Sequence, residues 1–171
     1  MVACRPGADG SPFQPGRLLV TLRNLGLVAL IDLAEGRCVG TFGRGLLVAP
    51  HGAALLASGT LLVLDGEDGP GGARVLEPDP TSGRVVWEYR GARPEEFRAR
   101  GRGTVQGLAE GNVLVANPEA AESFEITRAG EIVWRFRSAR LHPADNSTVV
   151  SAQRCTPEQL ARLSAVPAGP R

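Results

Sequence analysis

The chain has 171 residues, which is enough for one ordinary domain with a single core. Its 22 glycines and 13 prolines interrupt the sequence so often that long helices are not expected. All 19 basic residues are arginine, which excludes lysine chemistry such as Schiff-base formation, and the net charge of +1 gives no general attraction to nucleic acid or to a membrane surface.

The chain starts with a segment rich in proline and glycine, residues 1–15, which we predict to be disordered. This start lacks the apolar run of a secretory signal, and no stretch of the chain approaches the roughly 20 apolar residues that span a bilayer, so a cytoplasmic location is the default expectation. Cys4, Cys38 and Cys155 are widely spaced and form no CxxC pair. We therefore expect free thiols, with neither a disulfide framework nor a zinc site.

From residue 16 to residue 140 the sequence repeats itself. Gly36, Gly83 and Gly130 are each 47 residues apart, and each is followed by a strand-like run. Two further strand-like runs precede each glycine, so each unit is predicted as strand, turn, strand, tight turn, strand. In the first two units the tight turn begins with aspartate, Asp32 or Asp79, and ends with the repeated glycine, which is typical of a hairpin connection.

A repeat of about 40–50 residues built from short antiparallel strands is typical of a β-propeller blade. We therefore predict an all-β fold with three propeller-type blades over residues 16–140, and a β-sandwich is the alternative. The segments 46–56 and 103–108 are predicted to add a fourth, innermost strand to the second and third blades. Trp87 and Trp134 recur at the repeat spacing and are predicted to pack between blades.

Residues 141–171 are predicted to form a C-terminal tail. Thr156 is a good N-cap residue and Pro157 suits the first helical position, so a short helix is expected from there. Residues from 165 onward are again rich in proline and glycine and are predicted to be disordered.

Few side chains in the chain could carry out chemistry. His51 lies in the predicted inner strand of segment 46–56, where it could stabilise an oxyanion at the mouth of a central channel or could be a structural histidine bonded to the backbone. His142 lies in the tail and is predicted to be a plain surface histidine.

Charged segments give no clear ligand site. Asp65, Glu67 and Asp68 are interleaved with glycine as in a calcium loop, but no bidentate glutamate follows, so we predict neither a metal nor a cofactor. The arginine-rich segment 90–102 contains Glu95 and Glu96 and lacks a pattern of aromatic residues, which indicates a solvated loop between blades.

The runs His51–Asp65 and Gln106–Val115, with Glu125–Trp134 after them, resemble the bacterial arylsulfotransferase family. The resemblance covers most of residues 16–140 and implies the C-terminal half of a six-bladed, quinoprotein-like β-propeller. It also implies sulfuryl transfer from an aryl sulfate to a phenol through a histidine.

Two residues match positions of the family's site. His51 matches a histidine that helps to line the central site, and Arg74 matches an arginine that would clamp sulfate oxygens by bidentate hydrogen bonds. Arg74 could equally pair with a nearby carboxylate such as Asp65, Glu67 or Asp68.

The third unit has no histidine to match the family's sulfuryl-accepting histidine. This difference favours the alternative of a non-enzymatic propeller segment that serves as a binding or assembly module. Three blades do not close a ring, because propellers have at least four. Either the chain is a truncated or eroded gene product, or two chains associate as a homodimer that completes six blades, since open sheet edges invite pairing.

Overall fold

A computed structural model describes residues 13–66, 71–138 and 149–164. In these residues, strands form three antiparallel sheets, and one short helix follows them. The predicted all-β fold of propeller-type blades with a short C-terminal helix is therefore confirmed. Of the residues predicted to be disordered, 1–12 and those from 165 onward lie outside the described residues, as do Cys4 and His142. Phe13, in the segment 1–15, is described and stacks on Phe42 with 5.8 Å between ring centroids. No helix of the described part is long and apolar enough to cross a membrane.

Each sheet is a meander in which strands pair in chain order. Blade A contains three strands, β1 (Arg17–Leu22), β2 (Leu27–Asp32) and β3 (Arg37–Phe42). Blade B contains four, β4 (Pro50–Leu55), β5 (Leu61–Asp65), β6 (Arg74–Pro78) and β7 (Val85–Arg90). Blade C also contains four, β8 (Thr104–Gly107), β9 (Val113–Asn117), β10 (Glu122–Ile126) and β11 (Ile132–Arg137). The predicted fourth strands of the second and third units are thus confirmed as β4 and β8.

Hydrogen bonds of aspartate side chains explain the tight turns between β2 and β3 and between β6 and β7. The Asp32 carboxylate accepts hydrogen bonds from two backbone N–H groups of its turn, and Asp79 accepts one from the Thr81 N–H at 2.8 Å. These bonds hold the pKa of both carboxyl groups below the ordinary value, chiefly through the backbone for Asp32 and through Ser82 for Asp79. The turns end at glycines with positive φ, 61° at Gly36 and 72° at Gly83.

The helix α1 spans Pro157–Ser164 and begins as the sequence predicts. Thr156 Oγ1 accepts a hydrogen bond from the Gln159 N–H at 3.3 Å, and Gln159 Oε1 accepts one from the Thr156 N–H at 2.8 Å. This reciprocal pair is a capping box, which satisfies two N–H groups that the helix itself leaves without partners.

The hydrophobic core lies between blades rather than inside one sheet. Blades A and B enclose one cluster, Val28, Leu47, Leu61, Val63 and Leu76. Blades B and C enclose a larger one, which includes Leu62, Leu64, Val75, Tyr89, Phe97, Val105, Val113, Val115, Phe124 and Ile126. In this second cluster Phe97 and Phe124 meet edge to face with ring centroids 5.5 Å apart. Complete burial of one such side chain contributes about 1.5–3 kcal/mol, so stacking of blades dominates the stability.

The two tryptophans have different environments. Trp87 packs against the core between blades B and C, its Nε1 donates to the Arg128 carbonyl oxygen at 2.8 Å, and the Arg128 guanidinium lies 4.9 Å from the ring centroid. Trp134 is 46% exposed and stacks only on the equally exposed Phe136, with 6.5 Å between centroids. The prediction of interblade packing is thus wrong for Trp134, because no described sheet lies beyond blade C.

Candidate functional site

Side chains and backbone groups of all three blades meet at one end of the sheets. In a meander the start of the innermost strand and the end of the second strand lie at the same end of the sheet. The loops before the innermost strands β4 and β8, and those after the second strands β1, β5 and β9, therefore come together there. Arg23 after β1 donates from Nε and Nη2 to the Arg100 carbonyl oxygen at 3.2 and 2.9 Å. The Arg100 N–H in turn donates to the Glu119 carboxylate after β9. We name this region the loop end.

His51, the second residue of β4, is half-buried at the loop end. Its ring lies against Gly66, where an added Cβ would come within 2.7 Å of His51 Nε2 and 1.7 Å of the Ala99 carbonyl oxygen. A side chain at position 66 would therefore displace the imidazole or the chain at Ala99. His51 Nε2 is buried and makes no hydrogen bond of ordinary geometry with the described residues, although the backbone of Ala99 and Arg100 lies near enough to favour a protonated ring.

The surroundings of His51 favour the neutral imidazole. Burial is the main cause that lowers the pKa of His51 below its ordinary value of 6.5, and the positive charge of Arg23 adds to it. The carbonyl groups of Arg100 and Ala99 and the Asp65 carboxylate oppose the shift but do not reverse it. At neutral pH His51 is therefore a neutral base whose inner ring nitrogen is sheltered from bulk water.

Arg74 is held by the buried Asp65. Arg74 Nε and Nη2 lie 3.0 and 2.9 Å from Asp65 Oδ2, and Nη2 also donates to the Leu46 carbonyl oxygen at 2.6 Å. Asp65 Oδ1 accepts hydrogen bonds from the Val48 and Ala49 N–H groups at 3.0 and 2.8 Å. Of the partners that the sequence left open for Arg74, the structure shows Asp65, and this pairing ties the loop before β4 to β5 and β6.

Blade C carries ion pairs of reversed sign at the same register positions of its third and fourth strands. Glu122 of β10 occupies the place that Arg74 has in β6, and it lies 3.6 Å from Arg135 and 3.2 Å from Arg137. Arg74 correspondingly lies 3.9 Å from Glu88, which has the place of Arg135. Either sign of charge therefore forms ion pairs at this register position.

Sequence reasoning missed Asn117, which occupies in β9 the position of Asp65 in β5. Its side chain is 1% exposed, and neither its oxygen nor its nitrogen has a hydrogen-bond partner among the described residues. Asn117 lines a cavity of about 170 Å³ together with Glu95, Glu96, Arg98, Glu119 and Ala120. The repeat alignment, which sets Asn117 against Asp65, is the signal that could have identified it.

The remaining sequence predictions concern charges and thiols. Arg93 pairs with Glu96 at 2.8 Å and Glu95 at 3.6 Å on an exposed loop, as the mixed charge of that segment indicates. Cys38 and Cys155 are free thiols. Glu67 and Asp68 lie outside the described residues, and within the described ranges no group of acidic, histidine or cysteine side chains is arranged to hold a metal.

No protein-family profile and no curated protein sequence matches the chain. Among solved structures it is similar to virginiamycin B lyase from Staphylococcus aureus, with 14% identity, a TM-score of 0.50, and coverage of 84% of this chain and 42% of that one. It is also similar to a protein of unknown function from Bacteroides caccae, with 19% identity, a TM-score of 0.48, and coverage of 71% and 42%.

These structural neighbours are β-propeller-type proteins of unknown or varied function. The chain spans less than half of their length. At this level of identity the likeness concerns the fold alone, and the arylsulfotransferase resemblance gains no support from a family match.

We predict that Arg74→Met destabilises the protein by about 2–4 kcal/mol, because it leaves the Asp65 carboxylate buried without its cation. Arg84→Met, at an exposed position in the turn before β7, is the matched control and should change stability by less than about 0.5 kcal/mol. Urea unfolding followed by circular dichroism measures both. Equal stability of the two variants would contradict a structural role for Arg74.

We also predict that stability falls as the pH is lowered through 6.5, and that His51 accounts for part of the fall. Above 6.5 histidine is neutral in both states; below it the unfolded chain binds a proton that folded His51, with its lowered pKa, still excludes. His51→Gln should therefore lose less stability than the wild type between about pH 7.5 and pH 5.5 in urea titrations. His142→Gln, at the predicted surface histidine, is the control. An identical loss in wild type and His51→Gln would contradict the assignment.

Proposed function

We propose that this chain is a non-enzymatic propeller-blade module that assembles with a second copy of itself through the open face of blade C. The observation that carries the proposal is the exposure of Trp134 and Phe136, at 46% and 51%. The residues at the same register positions in blade B, Trp87 and Tyr89, are covered by blade C. A face with the aromatic residues of an interblade contact, but without the next blade, is suited to receive one.

The exposed part of the open face lies on the outermost strand of blade C, and the inner strands of the blade are covered. β9 and β10 are buried throughout, whereas every residue of β11 is exposed. Trp134 and Phe136 point to the same side of β11 as the buried Glu125 and Ser123, their register partners in β10. Burial of the two half-exposed rings contributes on the order of 2 kcal/mol each when a second sheet covers them.

Sulfuryl transfer is the second candidate, and His51 is the observation in its favour. A neutral, sheltered imidazole beside the Arg23 guanidinium has the protonation state that a nucleophile or general base needs at neutral pH. Arg74 gives this candidate less support, because its Nε and Nη2 already donate hydrogen bonds to Asp65 and to the Leu46 carbonyl oxygen.

The assembly is tested with Trp87→Phe, in which Trp134 is the single tryptophan. We expect its emission to shift to shorter wavelength, and its quenching by iodide to decrease, as the protein concentration rises from about 1 to 100 µM, because assembly removes the ring from water. Trp134→Phe, which retains the covered Trp87, is the matched control and should show no concentration dependence. Emission from Trp134 that stays red-shifted and fully quenchable at 100 µM would contradict the proposal.

The second candidate predicts phenol release from an aryl sulfate when a phenol acceptor is present, and loss of that release in His51→Gln. We expect no release above the uncatalysed background, from monomer or assembled protein, because the cation expected to clamp the sulfate is already paired. A spectrophotometric assay with 4-nitrophenyl sulfate and phenol measures this. Release that depends on His51 would establish the transfer reaction and remove the description of the module as non-enzymatic.

A further inference from the structure

Among the described residues, blade A has three strands where blades B and C have four. In blades B and C the innermost strand, β4 or β8, pairs with the second strand, β5 or β9. β1 has the position of the second strand in blade A, and it pairs with β2 on one edge. No described strand pairs with its other edge. This edge therefore offers a row of backbone N–H and C=O groups to an incoming strand.

The segment before the helix, residues 151–155, is placed to supply such an incoming strand. It runs along β8 without belonging to any sheet. The Ala152 N–H donates to Thr104 Oγ1 at 3.3 Å, and the Arg154 N–H donates to Gln106 Oε1 at 2.7 Å. Gln106 Nε2 returns a hydrogen bond to the Arg154 carbonyl oxygen at 3.2 Å. The backbone of the segment is thus fixed by side chains of blade C, and no strand of the described ranges pairs with it.

This segment lies where the innermost strand of a fourth unit would lie. Gly52 of β4 and Thr104 of β8 are equivalent, since they pair with Leu64 and Ala116, and the two positions pack against each other, with 3.3 Å from an ideal Cβ at Gly52 to Thr104 Cα. Thr104 in turn contacts Ala152, so the step from β4 to β8 is repeated from β8 to the segment.

The buried carboxylates of the interface repeat as well, and each pairs with an arginine of the next element, although the two arginines come from different positions of the repeat. Glu77 in blade B accepts a hydrogen bond from Thr60 Oγ1 and pairs with Arg128 of blade C. Glu125, at the same register position in blade C, accepts one from Asn112 and pairs with Arg154 of the segment. The buried carboxylate of blade C is thus paired with an arginine of the segment that follows it. The equivalent carboxylate of blade B is likewise paired with an arginine of blade C.

We propose that residues 151–155 of one copy pair with β1 of a second copy and supply the missing innermost strand of its blade A. The proposal rests on the assembly function described above and names its geometry. Reciprocal exchange between two copies closes a ring of six four-stranded blades, within the range of about four to eight that propellers use. The described residues of one copy form three blades and those of three copies would form nine, both outside this range. Because the exchange is reciprocal, the ring of two copies has twofold symmetry and its interface is isologous.

The same exchange covers the exposed aromatic face. Leu18 and Val20 of β1 have the register positions of Val113 and Val115, which face Tyr89 in the core between blades B and C. Leu18 is 48% exposed. When blade A of the second copy follows blade C, its Leu18 and Val20 lie over the face that holds Trp134 and Phe136.

The repeat predicts the register of the exchanged strand. Gly107 of β8 pairs with Val113, and the residue that follows Arg154 in the segment, Cys155, corresponds to Gly107. Leu18 corresponds to Val113, so Cys155 of one copy lies opposite Leu18 of the other. Directly opposed residues in an antiparallel pair have Cα atoms about 4.5–5.5 Å apart, which suits a disulfide.

The test is Leu18→Cys in a Cys4→Ser, Cys38→Ser background, where Cys155 is the other thiol. We expect air oxidation at about 10 µM protein to convert most chains to a species of two chains, on non-reducing gels and by light scattering, that reverts with dithiothreitol. Leu25→Cys in the same background is the matched control, since Leu25 is 59% exposed but lies outside β1, and it should remain unlinked. Leu18→Cys with Cys155→Ser should also remain unlinked.

Each other outcome separates the strand exchange from the assembly function. Dimers in light scattering without a bond between positions 18 and 155 would overturn the exchange and leave assembly through blade C standing. Monomers at 100 µM, with Trp134 accessible to iodide, would overturn both. A ladder of larger linked species would overturn the closed ring, because it would show an open chain of copies.

Discussion

The structure depends on one constraint. A β-sheet with apolar residues on both faces needs a neighbouring sheet packed on each face. Blade B satisfies the constraint, and all five residues of its strand β5 are buried. Blades A and C each share one face with blade B, and their other faces have no described blade beyond them. Because the core consists of two interblade clusters, the stability of this chain comes from stacking and not from any single sheet.

Charged residues add specificity to this stacking. Glu77 and Glu125 are both nearly buried, and each is paired with an arginine that belongs to the next element of the stack. Asp65 joins the loop before β4 to Arg74 within blade B. A buried carboxylate without its partner costs several kcal/mol, so these pairs fix the order and register in which blades stack, while the apolar contacts supply most of the stabilisation.

The loop end shows what a resemblance in sequence can and cannot specify about a side chain. His51 and Arg74 both lie near this end, yet their side chains have different surroundings. His51 keeps a sheltered nitrogen with no partner among the described residues, whereas Arg74 has two carboxylates and a carbonyl group around its guanidinium. A position in an alignment specifies the backbone location of a side chain, but the neighbours decide whether its hydrogen bonds are free for a ligand.

The sequence by itself determined the features that depend on local chemistry. The Asp-to-Gly turns, the alternating strands, the 47-residue repeat and the Thr156 cap were all predictable, because each rests on residues within a few positions of one another. The tertiary structure decided the features that depend on what lies across an interface. Trp87 and Trp134 have the same local sequence pattern, but one is covered and the other exposed; Arg74 has a buried partner, and residues 151–155 lie against β8. Burial and pairing are properties of the neighbouring blade, which periodicity within one strand cannot specify.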